Sequence, residues 1–262
     1  MKPHLIAEDP RSAEVIKPFL AGRDVKRYQP PKSDKYLIFT RRGIEIENYP
    51  AILNHLINFK NRLMPKPKDW ADSKWEGRKE GSYDWYEIQD NVAYYNEFEK
   101  PKIIYPDISL KGDFTIDRSG GWYLTNTCYF ISCDDDFILA LLASKLILYF
   151  YRETSAAVRG GYLRFFSQYV IKLPIAQADE ETKAGIRAMV EQVLAAKQAD
   201  AGADTAALEA EIDLQVYRLY DLTYDEVLLV DPGFGLSRED YEAADPGPRG
   251  VRNSRERLTQ LR

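Results

Sequence analysis

Apolar residues fall along the chain in short blocks whose spacing changes from one section to the next. Residues 15–28 carry Pro18, Gly22 and four basic side chains, which predicts a turn-rich lead-in and no long helix. The run Lys-Tyr-Leu-Ile-Phe-Thr at 35–40 predicts a strand. After Pro50, apolar positions at 52, 53, 56, 57, 59 and 63 share one helical face, so a helix is expected over 51–63. Periodicity then disappears from 64 to 91, where Lys, Asp and Gly surround Trp70, Trp75 and Trp85. A loop of that length inside a compact fold usually carries function.

Aromatic and β-branched residues predict further strands at 102–108, 114–118 and 121–132. Three aspartates at 134–136 suit a helix N-terminus, and the apolar residues that follow predict one buried central helix over 134–152. Phe137, Tyr129, Tyr149 and Phe150 lie in such runs and are expected in the core. Residues 153–166 read as a polar, glycine-containing loop passing into a strand, and Leu173-Pro174-Ile175 ends the next element. Two helices follow, one with Ile186, Met189, Val190, Val193 and Leu194 on a seam, the other with Leu208, Ile212, Val216 and Leu219. Joined at 201–203, they form an antiparallel helical hairpin. Thr223 with Glu226 three positions on is a capping box for a short helix. The pattern is mixed α/β (α+β): a sheet-containing part at 1–176, a hairpin at 177–230 and a Pro/Gly-rich tail at 231–262 expected to be weakly ordered.

Composition narrows the function classes. With 262 residues and 45% hydrophobic content the chain can bury a full core. It has no apolar stretch of membrane-spanning length and no signal-like start, so no membrane association and a cytoplasmic location are expected. His4, His55, Cys128 and Cys133 are too few and too scattered for a zinc site, and no metal is expected. The net charge of −5 disfavours a polyanionic partner only in total, because the first two thirds is mildly basic and the rest acidic.

Catalytic motifs are missing: no GxSxG elbow, no Walker A loop, and no acidic-x-Lys after Pro106-Asp107. Neither is there an Asn/Asp-Pro-Pro-Tyr/Phe loop, the only Pro-Pro being Pro30-Pro31. Residues 228–235, Leu-Leu-Val-Asp-Pro-Gly-Phe-Gly, superficially match a methyl-donor loop, but their setting predicts the end of the capped helix. No catalytic residue is expected in this chain. Basic residues instead recur where strands give way to loops: Arg23, Lys26 and Arg27; Arg41 and Arg42; Arg78 and Lys79; Lys111; Arg159 and Arg164. Trp85 and Tyr162 lie among them. Arginine can bind phosphate or guanine, and aromatics stack, so these twelve residues are candidate DNA contacts.

Several segments in order carry a resemblance: residues 17–28, Tyr36-Leu37-Ile38-Phe39, 49–63, 85–90, 98–109, 140–151, 159–175 and 212–223. The chain resembles the TaqI-like C-terminal specificity domain of type IIG restriction-modification enzymes and related adenine-N6 DNA methyltransferases. The resemblance implies a DNA-reading target recognition domain at 1–176 and a spacer or docking hairpin at 177–230. The implied partners are double-stranded DNA and an adenine methyltransferase domain or subunit, with or without a linked endonuclease. S-adenosylmethionine is expected only in that catalytic domain, which is missing from this sequence. A protein-docking module that acts through the hairpin and binds no DNA is the alternative.

Overall fold

The computed structural model describes residues 2–72, 74–155 and 160–243. The chain is of mixed α/β class and forms two compact units, each assembled from separate segments. Met1–Leu20, Ser33–Lys100 and Ser119–Tyr123 make the first, and Ala21–Lys32, Pro101–Arg118 and Leu124–Arg262 the second. Boundaries at 176 and 230 therefore do not separate compact bodies.

In the first unit, strand β1 (Ile16–Leu20) pairs antiparallel with β2 (Tyr36–Ile38), placing Ile16 opposite Ile38. The turn-rich lead-in thus also contains a strand, its turns being the 3-10 segment Gly22–Asp24 and the turn at 27–28, and it holds no long helix. The helix expected over 51–63 is two, Pro50–Ile57 and Lys60–Leu63. Asn58 ends the first by donating its side-chain amide to the carbonyls of Asn54 and His55. Leu5, Val15, Ile16, Ile46, Ala51 and Ile52 form the core of this unit. Among the described residues, 64–91 hold only turns, bends and an isolated bridge between Pro65 and Arg78, as their lost periodicity predicts.

The second unit is built on β3 (Lys102–Pro106), every residue of which is buried. β4 (Ile108–Ser109) and β5 (Thr115–Asp117) follow, and the stretch 121–132 divides into β6 (Tyr123–Leu124), which is the third strand of the sheet ordered β2-β1-β6, and β7 (Cys128–Ile131). β3 lies between β5 and β7, antiparallel to both. Lys102 and Asp117, opposite each other in register, form a fully buried ion pair at 2.6 Å. β4 pairs instead with β8 (Leu163–Arg164) in a separate two-stranded ribbon.

The single helix expected over 134–152 is Asp136–Ala143 followed by Lys145–Thr154. Ser144 makes the break: its backbone is extended, and its hydroxyl donates to Leu141 O while accepting from the Ile147 N–H. The hairpin helices, Glu180–Ala199 and Ala206–Leu219, are part of this unit's core. Ile186, Val190, Val193, Ile212 and Val216 pack in one cluster with Leu139, Ile103 and Phe114. Their apolar seam is consumed internally, which is not how a detached spacer is built. Thr223 and Glu226 form the expected capping box on Tyr224–Val230. Within the tail expected to be weakly ordered, Arg238–Ala243 is a helix anchored by Tyr241, whose hydroxyl donates to Leu222 O; residues 244–262 lie outside the described residues. No helix among the described residues is long and apolar enough to cross a membrane.

Candidate nucleic-acid interface

In the second unit the chain passes Gly22 so close to the neighbouring backbone that a Cβ there would lie 2.5 Å from Thr127 O. Glycine is needed at that point. The Gly22 N–H donates to Thr127 Oγ1 at 2.9 Å, and Asp24 accepts from the Ala21 N–H at 3.2 Å. So tethered, the segment turns Arg23 and Lys26 outward, both exposed. Opposite it stands the β4·β8 ribbon, with Ile108 across from Arg164 and Ser109 across from Leu163. Between them runs a groove of about 720 Å³, bordered by Arg23, Lys26, Ile108, Leu110, Lys111 and Tyr162. Four of the twelve predicted residues, Arg23, Lys26, Lys111 and Tyr162, therefore meet at one feature.

Arg164 stands next to it. Its guanidinium faces the Asp107 carboxylate at 3.3 Å and lies over the Phe166 ring, 4.7 Å from the centroid, with its side chain half exposed. Arg27 points the other way. It makes an ion pair with Glu209 at 3.2 Å on the second hairpin helix, and is mostly buried beside Tyr28 and Asp213. Burial alone would lower the Arg27 pKa, but Tyr28, Asp213 and Glu209 together raise it, so the residue is a buried cation. Burial raises the Tyr28 and Asp213 pKa values.

The first unit holds Arg41, Arg42, Arg78, Lys79 and Trp85. Arg41 and Lys79 are exposed, Arg41 lying 5.6 Å from the Tyr95 centroid. Arg78 donates to the carbonyls of Leu63, Glu87 and Trp85 at 2.6–2.8 Å and covers the Tyr83 ring. It holds the long loop together, and burial lowers its pKa. Arg42 donates to Gln89 O and also faces Tyr83. The half-buried Trp85 carries the Lys60 ammonium over its ring at 5.1 Å. Arg159 lies outside the described residues.

Sequence reasoning took the turn after Pro106-Asp107 through Lys111 as a segment facing DNA, but singled out neither Ile108 nor Leu110 within it, and passed over Glu87. Ile108 and Leu110 alternate with buried Ser109, an inverted pattern that presents apolar residues outward. Such alternation could have been noticed but reads first as a strand with its faces exchanged. Glu87, 7% exposed, accepts from the N–H groups of Gly43 and Asp84 and so fixes the loop, a role with no local signal.

Comparison with known proteins identifies the family. Residues 17–175 match the TaqI-like C-terminal specificity domain. The Type II methyltransferase M.PaeR7I of Pseudomonas aeruginosa is 30% identical over 152 residues, covering 56% of this chain and 24% of that protein. The structure of the Type IIL restriction-modification enzyme MmeI in complex with DNA superposes with a TM-score of 0.55 at 14% identity, over 99% of this chain and 33% of MmeI. The chain thus spans about a quarter to a third of the length of these relatives. At 14% identity the MmeI match speaks to fold alone, but the family match runs from β1 through the groove-forming segments and the ribbon to residue 175. By that match, over more than half its length, the chain belongs to the family of TaqI-like C-terminal specificity domains.

Proposed function

We propose that this chain reads DNA sequence for an adenine-specific, type IIG-like restriction-modification methyltransferase, with or without a linked endonuclease, in the cytoplasm. The observation that carries it is the convergence of Arg23, Lys26, Lys111 and Tyr162 on one groove of the second unit. Lysine and arginine on the rim neutralise phosphates and set the register on the duplex, while side chains of the ribbon and of the loops around Arg41 and Lys79 approach base edges. Methyl transfer, the extrusion of the adenine and the binding of S-adenosylmethionine belong to the methyltransferase domain or subunit that the module positions. Membership of the specificity-domain family and the relationship to a Type II methyltransferase support this assignment.

The test is duplex binding measured against salt, with the methyltransferase supplied. Affinity falls steeply as salt rises, and Arg23→Ala, Lys26→Ala and Lys111→Ala each flatten the log–log slope by about 0.9. A chain that retains no duplex even at low salt, while still docking through its hairpin, overturns the proposal. Arg164→Ala acts differently, because a base-reading arginine relaxes discrimination at one position by roughly 1–3 kcal/mol.

A further inference from the structure

The ribbon carries its apolar residues on the wrong side for a core. In register, Ile108 faces Arg164 and Ser109 faces Leu163. Ser109 and Leu163 are 2% exposed and point inward, whereas Ile108 is 46%, Leu110 38% and Tyr162 42% exposed. With the two-residue period of a strand, 108 and 110 on one side and 162 and 164 on the other stand on the same outward face. That face is apolar at three positions and cationic at the fourth.

The face is also braced. Ser109 Oγ donates to Asp113 at 2.6 Å and accepts from the Lys111 N–H at 3.1 Å, closing the turn that carries Leu110. Arg152 donates to Leu110 O at 3.1 Å. Gly160 and Gly161, both with positive φ, bring Tyr162 into the ribbon, and a Cβ on Gly161 would touch Leu110 Cδ2 at 3.9 Å. The backbone that carries these side chains is therefore braced before any partner arrives, which lowers the entropy lost on binding.

Lys111, Arg23 and Lys26 border the same groove and Arg164 lies beside it, while the two carboxylates of the lining are taken up by Arg164 (Asp107) and Ser109 (Asp113), so the complementary surface is a polyanion with an apolar feature at its centre. The DNA major groove has that character: it is lined by phosphates, is wide enough for a two-stranded ribbon, and displays the C5-methyl group of thymine. Resting on the DNA-reading role above, we infer that the outward face of this ribbon enters the major groove, where Ile108 and Leu110 sense pyrimidine 5-methyl groups. Tyr162 and Arg164 flank the contact, Arg164 oriented by Asp107.

The bound site is first selected from a random duplex library by the chain together with its methyltransferase. Each thymine in the recovered site is then replaced by deoxyuridine, and each cytosine by 5-methylcytosine. Loss of the thymine methyl at one or two positions weakens binding roughly fourfold each, the value of one buried methyl group. In Ile108→Ala or Leu110→Ala the thymine and uracil forms bind alike; Ile108→Val, which removes a single methylene, gives an intermediate result should an alanine variant fold poorly. If the unmodified protein ignores every deoxyuridine and 5-methylcytosine replacement while its binding remains salt-dependent, the ribbon assignment falls and the DNA-reading role stands. Methyl sensing that survives both alanine variants also overturns the assignment. Failure to retain any duplex removes both.

Discussion

The Arg27 guanidinium lies 3.2 Å from the Glu209 carboxylate, joining the segment beside the groove to the second helix of the hairpin. Asp213 lies one helical turn further on, 2% exposed and accepting from the Lys145 N–H. Arg27 is thus the cation that balances two carboxylates in a partly dry setting. Arg27→Met takes the ion-pair partner from Glu209 and a neighbouring cation from Asp213, lowering stability by about 1–3 kcal/mol. Unlike replacement of Arg23 or Lys26, it leaves the salt slope of duplex binding unchanged. Urea titration and binding on the same variant separate the two roles.

Arg78 predicts a second divergence between charge and geometry. Its guanidinium bridges carbonyls from residues 63, 85 and 87 through donors spread over a planar fork, a geometry that the compact ammonium of lysine does not reproduce. Arg78→Lys, although it conserves the charge, loosens residues 64–91. Limited proteolysis of this variant cuts within that loop faster than in the unmodified chain, and Arg78→Ala behaves the same way. Equal cleavage rates in Arg78→Lys and the unmodified protein would show that charge alone suffices.

Much of the second unit follows from the sequence because its signals are local. The apolar run at 102–106 is β3, the hairpin seams are the buried faces, and Thr223 with Glu226 caps the helix as read. The departures come from single polar side chains that redirect a periodic pattern. Ser144 splits the central helix and Asn58 the earlier one, because each offers the backbone a local hydrogen-bond partner that the apolar spacing does not reveal. The site was legible as a set of basic positions but not as a division of labour. Nothing in the letters distinguishes Arg23, facing outward, from Arg27, turned inward onto Glu209, because the distinction depends on a helix far along the chain.

Asp135 gives a pH dependence. Two hydrogen bonds from Arg187, both 2.9 Å, are the main reason its carboxyl is held below the usual range; burial opposes them and the Phe137 N–H adds to them. Its folded pKa lies below its unfolded one, so the stabilisation is fully present above the unfolded value, near 3.9, and is lost as pH falls through the folded value. Arg187→Ala is accordingly less stable than the unmodified chain at neutral pH. The difference between the two shrinks as the medium is acidified below about pH 4. Thermal unfolding of both proteins from pH 7 to pH 2 measures it, and a difference that grows on acidification contradicts this account.

The hairpin's place in the core can be read from a thiol in the sheet of the same unit. Cys128 in β7 is 8% exposed, and burial pushes its thiol up to about 12. At pH 8 it is protonated and covered, so alkylation proceeds only through opening of the surrounding structure. Cys133 is less buried, and a Cys133→Ser background leaves Cys128 as the single reporter. Ile212, on the second hairpin helix, is completely buried in the cluster that also holds β3 residues Ile103 and Tyr105. Ile212→Ala removes about 2–5 kcal/mol of packing. Because hairpin and sheet share that core, Cys128 alkylation at pH 8 speeds up by about thirtyfold or more, the lower end of that range expressed as a population of open molecules. A spacer hairpin folding on its own would lose its own helicity in Ile212→Ala and leave the Cys128 rate where it was.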